Sequence, residues 1–220
     1  MEANEDKREG KDIEHAVSVV LRSDDIKSLA VDYAELGIDR MLAEGIARDI
    51  PFIGSLVGVA KIGVTIHGRL FAKKLFQMLG PLAAIDTSAR VEMIDRLEND
   101  PKYGRKVGEH LIELIDRIEA HRKPPMISAV FLAYQKNEID ADMLNRLTHA
   151  VERIPVFDIG ALRPLLSKSR LVDENDPISS LQNLLYAGVV KTNGVWDGDK
   201  YSVNEVGEAF LRLNLDRLQP

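Results

Sequence analysis

Apolar residues recur every three or four positions through most of residues 1–154, which is the period of an amphipathic α-helix. The clearest case is the segment 104–121, where Val107, Leu111, Leu114 and Ile118 fall on one stripe and charged residues occupy the opposite face. The same periodicity predicts further helices over 13–21, 26–36, 38–47, 50–76, 89–97, 126–134 and 140–154.

Breaks between these helices are marked by residues that favour a helix end. Pro124 and Pro125 cannot donate the next backbone hydrogen bond, so we expect them to end the helix 104–121. Asp140 stands where a capping side chain would begin the helix that follows. Because no segment up to this point alternates with a period of two, the pattern predicts a helical bundle over 13–154, preceded by a flexible N-terminus over 1–12.

The pattern changes in the last third of the chain. A helix over 178–186 is followed by two short β-like segments, 189–192 and 200–203, and Asn204 is placed to cap a final helix. This order resembles the back half of a winged-helix domain. The predicted fold class is therefore mainly α: a helical bundle followed by a small winged-helix-like α+β unit over 178–220, with residues 155–177 as the connector.

Composition excludes several classes of function. The chain has no cysteine, which removes disulfide scaffolds, thiol catalysis and cysteine-ligated metals, and which favours a reducing compartment. The first twelve residues are charged and lack the apolar core of a signal peptide. We therefore expect a cytoplasmic protein, with a peripheral position at the inner membrane as the alternative.

Charge is unevenly distributed. The chain carries a net charge of -6, yet residues 45–81 hold five basic residues and one acidic residue, a balance of +4. Within this basic segment, Gly54 and Gly58 form a small-residue pair that lets another backbone approach closely. Four of its five basic residues belong to the predicted helix 50–76, namely Lys61, Arg69, Lys73 and Lys74.

Three interpretations of the helix 50–76 follow. Its uncharged run from Ile50 to Ala60 is shorter than the roughly 20 residues that a membrane-spanning helix needs, so a buried packing helix is favoured. The basic residues suit a helix that is sequestered at rest and engages an anionic membrane surface when released. A helix that binds a partner protein is the third interpretation.

The winged-helix-like unit is the other candidate for binding. Its would-be recognition helix contains no lysine or arginine, and its polar residues include Gln182 and Asn183. A DNA-binding helix without cations lacks the contribution that usually dominates affinity. Lys191, Trp196 and Tyr201 belong to the predicted wing, whose tip is acidic. The pattern therefore favours a structural or protein-binding role over nucleic-acid binding.

Residues capable of catalysis are scattered. His110 and Glu113 lie one helical turn apart, but the chain contains no Glu-x-x-His motif of the kind that di-iron bundles use. It has no phosphate-binding glycine motif and no serine in a nucleophile elbow. We therefore expect no catalytic residues, no metal and no cofactor.

The segments 49–58, 69–75, 106–119 and 133–140 together resemble a widespread set of small bacterial helical proteins, loosely similar to the abortive-infection alpha type. The resemblance covers residues 35–160 and implies a bacterial cytoplasmic protein with a role in phage defence. The expected function is that of a non-enzymatic interaction or effector protein, whose partner is another protein, a second copy of the chain or a membrane surface. The alternative is a winged-helix regulator that binds nucleic acid.

Overall fold

The computed structural model of the chain describes residues 14–27, 66–118, 122–166, 170–171, 178–192 and 200–218. The chain divides into two compact units, Met1–Ala120 and His121–Pro220. The described residues are mainly helical, which confirms the predicted fold class at that level, and a small sheet lies near the C-terminus.

Helices make up the described part of the first unit. They are α1 over residues 14–22, α2 (Ile66–Ala83), α3 (Thr87–Glu98) and α4 (Val107–Arg117). The stripe predicted for α4 is buried, with Leu111 and Ile115 fully removed from solvent. On α2 the inward side chains include Leu75, Met78 and Leu79. Burial of these apolar faces is the main source of stability for such helices.

The helix predicted over 104–121 is shorter at both ends. Gly104 has a left-handed backbone (φ 68°), which a helix cannot include, and α4 begins only at Val107. At the other end Ile118 is extended, so the helix ends at Arg117. The helix predicted over 50–76 is described only from Ile66, and it continues past the predicted end to Ala83. The predicted helix 38–47 lies outside the described residues.

The second unit begins with α5 (Lys123–Gln135) and α6 (Ala141–Arg153), followed by two short 3-10 helices, η1 (Val156–Ala161) and η2 (Arg163–Leu166). Strand β1 (Arg170–Leu171) precedes α7 (Ile178–Tyr186), strand β2 (Val190–Thr192) and strand β3 (Lys200–Val203). The described chain closes with α8 (Glu205–Arg212) and a third 3-10 helix, η3 (Leu215–Arg217).

The sequence predicted that Pro124 and Pro125 would end the helix 104–121. In the structure they instead lie inside the first turn of α5. The N–H groups of the first turn have no acceptor within the helix, so a residue without an N–H costs nothing there. The proline ring also fixes φ near the helical value. The same two residues that cannot continue a helix therefore begin one.

The sheet has the strand order β1-β3-β2, and both pairs are antiparallel. Tyr201 on the central strand faces Arg170 on one side and Thr192 on the other. The sequence predicted β2 and β3 but not β1, which has only two residues and hence no period to detect. As predicted, Asn204 caps the last helix: its side chain accepts a hydrogen bond from the Gly207 N–H at 3.0 Å.

The division into units differs from the predicted domains. Helices α5 and α6 belong with the C-terminal residues, and α6 packs against both α5 and α8. The segment predicted as a connector over 155–177 includes η1 and η2, whose residues Ile159, Leu162 and Leu165 are buried. In its described part, this segment is therefore packed structure rather than a spacer.

Candidate interaction surface

A buried carboxylate joins η1 to α7. Asp158 is only 2% exposed, and its two carboxylate oxygens accept hydrogen bonds from the Ser180 hydroxyl at 2.5 Å and the Asn183 amide at 2.8 Å. Hydrogen bonds to a charged acceptor are about twice as strong as neutral ones. These two bonds fix how α7 is rotated about its own axis relative to η1.

That rotation decides which side chains of α7 meet solvent. Leu181, Leu184 and Ala187 follow one another at intervals of three residues, and all three are buried. The exposed side chains of the helix are Ser179, Gln182 and Tyr186. Tyr186 follows Asn183 by three positions, so it lies one turn beyond the bond to Asp158.

Two aromatic side chains flank this bond and are open to solvent. Phe157, the neighbour of Asp158 on η1, is 83% exposed, and Tyr186 is 76% exposed. Both belong to elements whose exposed side chains carry no charge, because Asp158 is the one Asp, Glu, Lys or Arg residue in η1 and α7 and it is buried. Phe157 on η1 and Ser179, Gln182 and Tyr186 on the adjacent α7 are the exposed side chains described on these two packed elements, and we call them together the aromatic face.

Sequence reasoning did not identify Phe157, Asp158 or Tyr186. Exposure of an aromatic residue depends on what packs over it, which no local pattern records. The available signal was the absence of charge throughout α7, which is unusual in a chain with 29% charged residues.

The residues predicted for the winged-helix-like unit have different environments. Gln182 is exposed, whereas the Asn183 amide is engaged by Asp158. Lys191 is exposed on β2, and Tyr201 is buried on the central strand of the sheet. Trp196 lies outside the described residues. Asn183 was predicted among the candidate binding residues, and its engagement leaves Gln182 as the exposed amide of that helix.

The predicted cations of the basic segment also have different environments. Arg69 is exposed and Lys73 is half-buried. Lys74, predicted to belong to a helix-packing or membrane face, donates hydrogen bonds to the carbonyl oxygens of Ile115 at 2.7 Å and Ile118 at 3.0 Å. Burial lowers the pKa of Lys74, and the nearby Asp116 carboxylate opposes that shift.

The ammonium group of Lys74 therefore holds the C-terminal end of α4. Gly54, Gly58 and Lys61 lie outside the described residues. Within the described ranges, no helix combines the length and the apolar character needed to cross a bilayer.

A cleft of about 520 Å³ opens in the first unit between α1, the end of α3 and the start of α4. Three of its charged residues, Arg22, Glu98 and Lys106, pair with one another. Glu98 accepts bonds from Lys106 at 2.8 Å, from Arg22 at 3.3 Å and from the Val107 N–H at 3.1 Å. Within the cleft, the Glu98 carboxylate therefore binds the N–H of Val107, the first residue of α4.

The His110 side chain, considered above with Glu113, is buried and joined to Tyr103 by a hydrogen bond of 2.8 Å between Nδ1 and the hydroxyl. Burial lowers the pKa of His110 to about 3, and the nearby Arg105 and Arg117 add to that shift. Glu113 pairs with Arg105 and Arg117. In the part of the chain that the structure describes, no group of three potential metal ligands is found.

Comparison with models of protein families, with curated proteins and with solved structures finds no match to this chain. The argument for function therefore rests on the geometry of the described residues.

Proposed function

We propose that the protein is a non-enzymatic interaction protein that binds a partner protein through the aromatic face of its second unit. The observation that carries this proposal is the exposure of Phe157 and Tyr186 on two elements clamped together by Asp158. Aromatic residues are enriched, and charged residues depleted, at the centres of protein interfaces. Large aromatic side chains also contribute much contact area at a small cost in conformational entropy.

The clamp supports the same proposal. An interface gains affinity when its residues are held in place before the partner arrives, because less freedom is lost on binding. Asp158 holds η1 and α7 in one relative position in the free protein. Phe157 and Tyr186 are therefore presented on a fixed backbone, and only their side-chain rotations remain to be restricted.

Site-specific photo-cross-linking in cells tests this proposal. A photoreactive amino acid at Gln182, which is exposed on the aromatic face, should give a covalent adduct with protein. The matched control is the same amino acid at Lys136, which is exposed just beyond the end of α5 in the same unit. Adducts at 182 that disappear with Phe157→Ser and Tyr186→Ser support the proposal, and equal adduct yields at 182 and 136 contradict it.

A winged-helix-like character of the second unit stays part of the proposal. It is supported by the order of α7, β2, β3 and α8 along the chain. The uncharged α7 and the engagement of Asn183 favour a protein partner over a nucleic acid for this unit. Sub-micromolar binding to random duplex DNA that collapses between low and moderate salt would instead support the nucleic-acid alternative.

The outer face of α2 supports a second candidate function at an anionic membrane. Leu70 is 44% exposed, and the basic residues Arg69 and Lys73 lie beside it on the same side of the helix. Each basic residue near such a surface contributes about 1 kcal/mol, so two give weak, reversible attachment. Flotation with anionic vesicles that Arg69→Glu and Lys73→Glu abolish, and Lys102→Glu does not, would support this function. If the protein does not float with anionic vesicles at low salt, membrane binding by the outer face of α2 is refuted.

The resemblance to abortive-infection alpha proteins is the basis for proposing a role in phage defence. The plating efficiency of phages on bacteria that express the chain tests this role. A reduction in plaques that is lost with Phe157→Ser and Tyr186→Ser would connect the aromatic face to that role, whereas unchanged plating with the intact protein would argue against it.

A further inference from the structure

The aromatic face is distinguished from the rest of the molecule by its lack of charge. Its four exposed side chains are two aromatic rings, one hydroxyl and one amide, while the chain as a whole has a net charge of -6. Two copies of an acidic chain repel each other over most of their surfaces. Repulsion is weakest where each copy presents side chains without charge.

The lack of charge on the aromatic face disfavours other binding partners. An anionic membrane or a nucleic acid is attracted chiefly by lysine and arginine, and η1 and α7 contain neither. A strongly charged protein surface would lose hydration on this face without gaining an ion pair. The partner that fits this face is itself uncharged and partly aromatic, and the same face on a second copy of the chain has both properties.

We infer that the aromatic face docks against the same face of a second copy of this chain, forming a two-fold symmetric dimer. This inference rests on the proposed function and identifies the partner protein as a second copy of the chain. In a two-fold interface every residue contributes twice, so two copies each of Phe157 and Tyr186 leave water together.

The expected dimer is weak. An aromatic side chain offers about 200 Å² of surface, so four that are roughly four-fifths exposed contribute about 600 Å². Standard stable interfaces bury about 1,600 Å² in total, so the polar residues of α7 and their neighbours must supply the remainder. The area therefore predicts a weak, reversible dimer.

Sedimentation velocity of the purified full-length chain tests the inference over 1–500 µM (roughly the range in which a weak interface is populated). We expect a concentration-dependent dimer. Phe157→Ser and Tyr186→Ser should each raise its dissociation constant about tenfold, the size of effect that truncating a central interface residue produces. Val19→Ser is the matched control, because Val19 is an apolar residue, 50% exposed, in the first unit. It should leave the dimer unchanged.

Salt gives an independent readout. Added sodium chloride screens the repulsion between two acidic chains but has no ion pairs to weaken on this face, so the dimer should become tighter or stay unchanged. A dimer that dissociates with salt would overturn the inference, as would a dimer that both serine variants leave intact. A chain that remains monomeric at 500 µM would overturn it as well.

The cross-linking experiment separates this inference from the proposed function. An adduct of twice the chain mass at position 182 supports both. An adduct with a different protein, together with a monomeric purified chain, overturns the dimer and leaves the interaction function in place. Absence of both adduct and dimer overturns both. Circular dichroism of each serine variant establishes that it is folded, which is expected because both substitutions replace exposed side chains.

Discussion

At the scale of single residues, close contacts between helices explain positions that a sequence pattern leaves open. Gly108 lies at the start of α4 where α1 passes against it. A Cβ at position 108 would overlap the Ser18 hydroxyl and would lie 2.9 Å from the Glu14 carbonyl oxygen. Because the second contact is with backbone, rotation of the Ser18 side chain alone cannot relieve it. Glycine is thus the residue that allows this crossing.

We predict that Gly108→Ala destabilises the protein by about 1–3 kcal/mol, the usual cost of overpacking a close contact. The matched control is Gly80→Ala in α2, where a Cβ would meet nothing within 4 Å. That substitution should stay within about 0.5 kcal/mol of the parent protein, because the preference of alanine for a helix is offset by Pro81, whose ring disfavours the helical conformation of a preceding residue that carries a Cβ. Urea denaturation of the two variants measures the difference. Equal stabilities for the two variants would show that the crossing of α1 and α4 is not tight.

The buried Tyr103–His110 pair predicts a pH dependence of stability. The folded state keeps His110 neutral down to pH 3, because burial lowers the pKa of His110 to about 3. The unfolded chain takes up a proton near pH 6.5. Stability from this residue is therefore complete above pH 6.5 and is lost as the pH falls towards 3, at up to about 1.4 kcal/mol per pH unit.

Denaturation at pH 7 and pH 5 measures this effect. The free energy of unfolding should fall by about 2 kcal/mol more for the parent protein than for His110→Gln, which has no titrating ring. The NMR signal of the His110 ring should also stay constant between pH 8 and pH 5. A ring signal that titrates near pH 6.5 would contradict the buried assignment.

At the scale of elements, buried or half-buried cations bind the carbonyl groups at helix ends. Lys74 binds the end of α4, and Lys123 binds the Glu152 carbonyl oxygen near the end of α6 at 2.9 Å. Arg90 is fully buried and donates to Leu21 at the end of α1 and to Ile85 just beyond α2. Carbonyls at a helix C-terminus lack partners within the helix and carry partial negative charge, so a cation satisfies both needs.

The contribution of such a bond is tested with adjacent lysines on α2. We predict that Lys74→Met destabilises the protein by about 1–3 kcal/mol, because it removes the donor to two carbonyls of α4. Lys73→Met changes an adjacent, half-buried lysine of the same helix and should stay within about 0.5 kcal/mol of the parent protein. Thermal or urea denaturation distinguishes them. Equal effects would indicate that Lys74 is a surface cation, as the sequence had suggested.

At the scale of the whole molecule, the two units divide between residues 120 and 121 rather than at the connector predicted over 155–177. The reason lies in α6, whose apolar stripe of Leu144, Leu147 and Val151 is buried. The helix packs on α5 and α8, which puts a bundle helix and the C-terminal elements in one core.

This division predicts how fragments behave. The fragment 121–220 should unfold cooperatively, since it keeps α5, α6 and α8 together. The fragment 155–220, which begins at the predicted connector, lacks α6, which packs against α8, and α5, which packs against α6, so it should not fold. Amide NMR spectra of both fragments provide the measurement. A well-dispersed spectrum from 155–220 would restore the predicted boundary.

The sequence by itself determined the features that depend on neighbours within a turn or two. It predicted the stripe of α4, the helix at Ile178–Tyr186, the strands on either side of residues 193–199 and the caps formed by Asp140 and Asn204. Helical period and capping are local properties, so a short window of residues contains them.

Tertiary structure alone decided the environment of each polar or aromatic side chain. Lys74 reads as a surface cation until α4 places its terminal carbonyls beside it, more than forty positions along the chain. Asp158 and Phe157 both lie in the predicted connector, and only the tertiary structure shows that α7 supplies two donors to Asp158 while Phe157 stays 83% exposed. Burial and pairing depend on which distant segments meet, because desolvation and hydrogen bonding act across space rather than along the chain.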